Sequence, residues 1–367
     1  LFNAAQRGQA YSQAMAALEE LLLPQRRTAE EMHRAVTGMK REDLSGMTRN
    51  LFGDSLVEAL LIGNLLETDA RALLRAVLEP LDINEDGLGP SHVPSRSEAQ
   101  VPRSPALTVL SLEGANPDDA NGCAVESVCC IAEMTPENEA IASLLMQVVK
   151  PRFFSELRTR QQLGYVVSSF MRARVAYISL VFLVQTERAP EVARRSIEAF
   201  LGQTWRYLLS GMTAEEFDHH RDGLVRQLEE APRNLWEAMQ RDWLPIEERT
   251  WTFDARQRQI AFLRRSSLTT LQRFVQTNVQ SMPRIAVLIH SPKGPRFAPK
   301  PNGTVGDERD ARHLSRSSAA SFREKLPRKE MNTTFGSMVP RVPARIKRDP
   351  PRRPPEPPAA EAARTAA

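Results

Sequence analysis

An α+β fold made of two-layer αβ sandwich domains is what this sequence predicts, and three observations carry the prediction. Short apolar runs at 107–112, 123–133, 165–171, 177–185 and 284–290 have the length of strands. Longer stretches among them place apolar residues at helical spacing, as in Ile141, Leu144, Leu145, Val148 and Val149. Helix-start signals precede several such stretches. Thr28 and Thr213 each have a Glu three residues on, the pattern of a capping box. Strands first, then helices packed on one face, give the layering.

The elements follow in order. Residues 1–50 read as helices, with Met15, Leu18, Leu21 and Leu22 on one face and Pro24 closing that segment. Residues 56–65 read as a buried strand that exits at Gly63-Asn64, and a short helix follows over 68–78. Residues 82–105 form a linker rich in Gly, Pro and Ser. Asp82, Asn84, Asp86 and Gly87 match the first half of a calcium-binding loop. The position that should supply a bidentate Glu is Val93, which argues against calcium. After strands 107–112 and 123–133, Thr135-Pro136 opens a helix. Pro151 should kink or break it and leave a short second helix ending at Arg158. The strand pair 165–171 and 177–185 comes next. A helix from about residue 190 buries Ile197, Phe200, Leu201 and Leu208, and the one capped by Thr213 carries Phe217, Leu224 and Leu228. Ser267 opens a last helix, and 284–290 is a closing strand.

Composition bounds the function. The chain has 367 residues, 41% apolar and 26% charged, enough for about two domains with cores. The apolar run 175–184 is too short to span a bilayer. Cys123, Cys129 and Cys130 have no metal spacing and read as packed thiols in a reducing compartment, so a cytoplasmic location is expected. The net charge of +4 is unevenly spread. Residues 294–367 hold 16 Lys/Arg against 8 Asp/Glu and 12 of the 26 prolines, whereas the rest has 33 against 37. Such a tail buries too little apolar surface to offset its chain entropy and is expected to be disordered. Phe297, Phe322 and Phe335 stand alone in it, which disfavours nucleic-acid binding by base stacking. The chain starts at Leu1, so it is expected to begin inside a longer protein.

The segment Arg158-Thr-Arg-Gln-Gln-Leu-Gly-Tyr165, continued by Val-Val-Ser-Ser, joins a helix end to an extended strand through one Gly. This junction places a guanidinium and a phenol, seven positions apart, at the rim of a sheet. Taken alone, the pair also suits a surface Arg and a half-buried strand Tyr. Gly164 is read two ways: it lets the backbone turn Tyr165 into a cavity, or it is a simple turn residue. The six histidines, His33, His92, His219, His220, His290 and His313, start neither an H-x-x-E-H nor an H-E-x-x-H pattern. His219 and His220 point to different faces of a helix and, with Asp218 and Asp222, form a solvated polar face.

The segment closely resembles the R-x-x-x-Q-L-G-Y-x-V signature in the C-terminal half of insulysin/pitrilysin-type zinc peptidases. The stretch E-A-L-L-x-G-N at 58–64 matches the family's third domain. The resemblance runs from about residue 1 to 290. It implies a truncated third domain over 1–81, a linker over 82–105, a complete C-terminal domain over 106–293 and an unrelated tail over 294–367. It also implies a division of labour. Zinc is held by an N-terminal catalytic half, this chain carries no catalytic residue and no metal ligand of its own, and the two halves close around a peptide substrate. Arg158, Gly164 and Tyr165 then form a substrate-binding set, Arg158 as a planar, permanently charged clamp and Tyr165 as a neutral donor to a developing oxyanion. The resemblance gives Arg172 and Arg174 no role, and they are expected to be exposed. A catalytically inactive structural or interaction protein of the same fold is the competing reading. The partners implied are the catalytic half and peptides, with self-association left open and no membrane.

Overall fold

The computed structural model describes residues 7–50, 57–81, 97–99, 101, 107–130, 134–173, 177–295, 311–326 and 328–330. The described residues of Leu1–Asp43, Leu60–Asn64 and Pro94–Thr333 form one compact unit, and those of Leu44–Ala59 and Leu65–Val93 a second.

In the first unit, β1 (Ser97–Ala99) pairs with a late strand in a two-stranded sheet, and the apolar runs build a larger one. Its strands are β2 (Leu107–Glu113), β3 (Gly122–Cys130), β4 (Val167–Ala173), β5 (Ile178–Thr186), β6 (Arg284–His290) and β7 (Arg312–Leu314). The spatial order is β4-β5-β3-β6-β2-β7, and the partner of β1 is β8 (Arg328–Glu330). β3 runs antiparallel to both β5 and β6, while β2 is parallel to β6 and β7. The α+β class is as predicted, and every strand foreseen in 106–290 is present within a few residues.

The layering has one element more than the sequence reading. One face of the sheet carries Ala124, Val128, Leu180, Phe182, Ala286 and Leu288. The opposite face carries Cys123, Val125, Val181, Leu183, Val287 and Ile289. Helix α1 (Ala10–Leu22) covers that second face with Ala14, Leu18, Leu21 and Leu22. This helix was expected in a separate domain ending at residue 81. The reason is visible in β5, which is buried at nearly every position. A strand with a wet face alternates, and one covered on both sides reads as a continuous apolar run.

Helices α2 (Ala29–Thr37), α3 (Arg41–Asn50) and α4 (Glu67–Leu78) follow α1. The Thr28 capping box that opens α2 is present. The strand predicted at 56–65 is not: described residues 57–66 are irregular, and Val57, Leu61 and Leu65 are exposed. An extended segment needs neighbours for its N–H and C=O groups, and no described strand lies beside it.

The predicted face is covered by α5 (Pro136–Phe154), α6 (Pro190–Arg206), α7 (Ala214–Glu229), α9 (Ala255–Arg265) and α10 (Leu268–Asn278), with α8 (Leu235–Glu247) between α7 and α9. Thr135 accepts from the Asn138 N–H at 3.2 Å, and the Thr213 capping box is complete. Pro151 does not break α5. The ring sits on the exposed side, and the helix runs on into a π-helical turn over Ser155–Arg160.

The expected disorder after residue 294 does not hold throughout. Residues 312–314 extend the sheet as β7, and α11 (Arg316–Lys325) buries Phe322 against α1, with Leu314 and Leu326 buried beside it. The physical cause is a small set of apolar residues, diluted among charges, that meets an apolar face already half covered by α1. Residues 296–310 and 331–367, and the calcium-loop resemblance at 82–93, lie outside the described residues.

Glu126 is 0% exposed in β3, an acid in an otherwise apolar strand. Arg284 Nη1 lies 3.1 Å from it, and Glu198, 3.5 Å from Arg284 and 3.2 Å from the buried Arg194, extends the network. Burial raises the Glu126 pKa, opposed chiefly by Arg284. The folded state therefore holds this proton more tightly than the unfolded chain. The stability it contributes is present below the unfolded carboxylate range and is lost as pH rises through the raised folded value. Glu126→Gln should consequently gain stability relative to the wild type as pH rises from the unfolded carboxylate range toward neutrality. Denaturant unfolding of both proteins at several pH values measures this, and a difference that does not change with pH would refute it.

Candidate substrate-contact site

The site is built at the junction of α5, its π turn and β4. A π turn carries one more residue than an α turn, and such turns often mark functional positions. Here it carries Arg158. Leu157 and Leu163, both buried, pin the two sides of the junction, and Leu163 N–H donates to Leu157 O at 3.0 Å. Gln161 N–H closes on Glu156 O at 2.9 Å, and its side-chain amide donates to the Glu156 carboxylate at 2.8 Å.

The left-handed residue of this turn is Gln162, at φ 51°. Gly164 has another reason to be glycine. A Cβ there would stand 1.8 Å from Gln185 O in β5. The backbone passes directly against the neighbouring strand, and no side chain fits between. The Gln185 N–H then donates to Val166 O at 2.9 Å, which starts the β4–β5 ladder.

Arg158 and Tyr165 are brought together. The Arg158 guanidinium donates to the Tyr165 main-chain carbonyl, and its Cζ lies 4.4 Å from the Tyr165 ring centroid, within cation–π range. Tyr165 sits just before β4 rather than in it, and it is 81% exposed. Its phenol is therefore presented outward with its ring steadied by a cation. Phe154, one helical turn before Arg158 and 45% exposed, lies 5.3 Å from the same guanidinium. Sequence reasoning passed over Phe154. An aromatic four residues before a singled-out Arg on a helix is the signal that would have found it.

Other expectations resolve as follows. Arg172 is tied to Glu19 of α1, which also pairs with Arg26, so it anchors that helix to β4. Arg174 lies outside the described residues. His219 and His220 have ring centroids 5.9 Å apart and nearly perpendicular planes, while Asp218 and Asp222 are both engaged by Arg221, at 2.7 and 2.8 Å. Burial, then His219 and Arg152, lower the His220 pKa. Cys123 and Cys129 are buried thiols, and burial pushes the Cys123 thiol pKa up. No three His, Cys, Asp or Glu side chains cluster as metal ligands among the described residues. No helix among them is long and apolar enough to cross a membrane.

Residues 144–243 match a family described as PQQ synthase PqqF-like, C-terminal lobe domain 4. Insulin-degrading enzyme of Mus musculus is 25% identical over 270 residues, covering 73% of this chain and 26% of that protein. Protease 3 of Escherichia coli is 24% identical over 289 residues, or 78% and 29%. The chain is homologous to insulin-degrading enzyme and protease 3, and its match over residues 144–243 is to a C-terminal lobe domain. The crystal structure of pitrilysin superposes with a TM-score of 0.74 at 19% identity, over 90% of this chain and 34% of that one. The chain spans about a quarter of the length of the curated relatives it matches.

Proposed function

We propose that this chain is the non-catalytic C-terminal half of an insulysin-like zinc metalloendopeptidase. It closes a peptide-degradation chamber against a separate catalytic half and contributes Arg158 and Tyr165 to the substrate. The observation that carries this reading is the pairing itself. An outward phenol, with its ring and carbonyl both held by one guanidinium, is preorganised to meet a ligand. A merely packed Tyr would be buried.

This reading assigns the zinc that the family implies to the other half and gives this chain its own donors as its part in hydrolysis. A phenol donates a hydrogen bond while remaining neutral at physiological pH. It can thus stabilise negative charge on a peptide carbonyl oxygen without itself giving up a proton. The guanidinium keeps its charge throughout, and after donating to the Tyr165 carbonyl it has further N–H groups for a peptide backbone. Phe154 adds an apolar wall beside the guanidinium.

The purified chain is expected to hold no stoichiometric zinc and to leave a quenched fluorescent peptide uncleaved. Adding the zinc-bearing N-terminal half should restore cleavage. Metal analysis and the peptide assay, with and without that half, decide the matter. Zinc with turnover in the chain alone, or no gain on adding the catalytic half, would remove the proposal.

A further inference from the structure

On the face of the sheet covered by α1 and α11 lies a cavity of about 440 Å³, distinct from the residues that contact Tyr165. Its floor is apolar, made by Ala17, Leu21, Leu110, Leu112, Ile289 and Ala319. Positions 13, 16, 17 and 20 of α1 share one side of the helix, which brings Glu20 to the same opening.

Most charges around the opening are already committed. Glu30 pairs with Arg316 at 2.6 Å, Glu31 closes the Thr28 capping box, and Arg323 donates to the Arg26 carbonyl at 3.2 Å. Glu20 makes no hydrogen bond or ion pair with the described residues, although it lines the cavity. Burial raises its pKa, and the more distant Arg316, Arg26 and Arg323 offset this only in part. Four carboxylates, Glu20, Glu30, Glu31 and Glu113, line the cavity against two guanidiniums, Arg316 and Arg323. An anion would meet an excess of negative charge there, and a cation would meet Glu20 and Glu113, to which no described side chain is bonded.

We propose that this cavity binds a small organic cation with an apolar body, an aralkyl- or alkylammonium, whose ammonium pairs with Glu20 while its body lies on Leu21, Leu112 and Ile289. The volume is in the range of small-molecule sites, and a largely apolar lining with a few placed polar groups is their usual design. The ammonium supplies the hydrogen-bond donors that burial denies the carboxylate.

Calorimetric titration of the full chain with phenethylamine, and with the neutral 2-phenylethanol as its counterpart, tests this. The amine should bind roughly tenfold more tightly than the alcohol, the advantage of a charge-assisted contact. Glu20→Gln should bring the two affinities together. Ala16→Leu, which extends a side chain into the cavity, should weaken both at least about tenfold while circular dichroism stays unchanged. Equal affinities in the wild type, amine binding indifferent to either substitution, or no saturable amine binding at millimolar concentration would each overturn the proposal.

Discussion

Tyr165→Phe, in the enzyme assembled with its catalytic half, is expected to lower kcat about 30- to 1,000-fold at unchanged melting temperature. The substitution removes one hydroxyl and keeps the ring that the Arg158 guanidinium steadies. Because the phenol is exposed, no buried hydrogen bond is lost, and folding should not register the change. Losing a donor aimed at developing negative charge costs about 2–4 kcal/mol of transition-state stabilisation. Arg158→Ala should act differently. It frees the Tyr165 carbonyl and ring together, so it should raise KM as well as lower kcat. Steady-state kinetics on a fluorogenic peptide, with thermal melts of each variant, separate the two. Full kcat in Tyr165→Phe would reduce the phenol to surface decoration. Loss of fold in both variants would make the pair structural and favour a scaffold without activity.

Gly164→Ala should be the most destabilising single methyl that can be added at this site. The new Cβ would fall 1.8 Å from Gln185 O, a backbone atom of β5 that cannot rotate aside. Relief requires β4 to lift from β5 at its first hydrogen bond, the one from Gln185 N–H to Val166 O. We expect a loss of about 3 kcal/mol or more, at the upper end for overpacking. For a unit of this size that is a fall in melting temperature of roughly 6–12 °C. Calorimetry on the chain measures it. A melting temperature within a degree or two of wild type would show that the junction yields, and that Gly164 is a simple turn residue. Turnover should fall together with stability, since Tyr165 is displaced along with the strand start.

Much of this protein was determined by local sequence. The Thr28, Thr135 and Thr213 starts of α2, α5 and α7 depend on side chains within three residues of the backbone they cap, so they are legible without any fold. The five strands of 106–290 follow from apolar runs of the right length. The junction that puts Arg158 and Tyr165 at the rim of the sheet was also legible, from a helix end, one Gly and a strand start, but the hold of the guanidinium on the Tyr165 carbonyl and ring was not.

Other features depend on contacts far apart in sequence. Gly164 looks like a turn glycine until Gln185 is found against it, while the strained φ belongs to Gln162. The strand expected at 56–65 had the composition for one but no ladder to join. Arg172 seemed idle because its partner, Glu19, lies on α1. Helices α1 and α11 cover the second face of the sheet, and nothing local marks Leu18 or Phe322 as partners of Val125 or Val287. Propensity and caps act over three or four residues and are written in the chain. Close approach, ladder partners and shared burial exist only once distant segments meet, and those the tertiary structure alone decides.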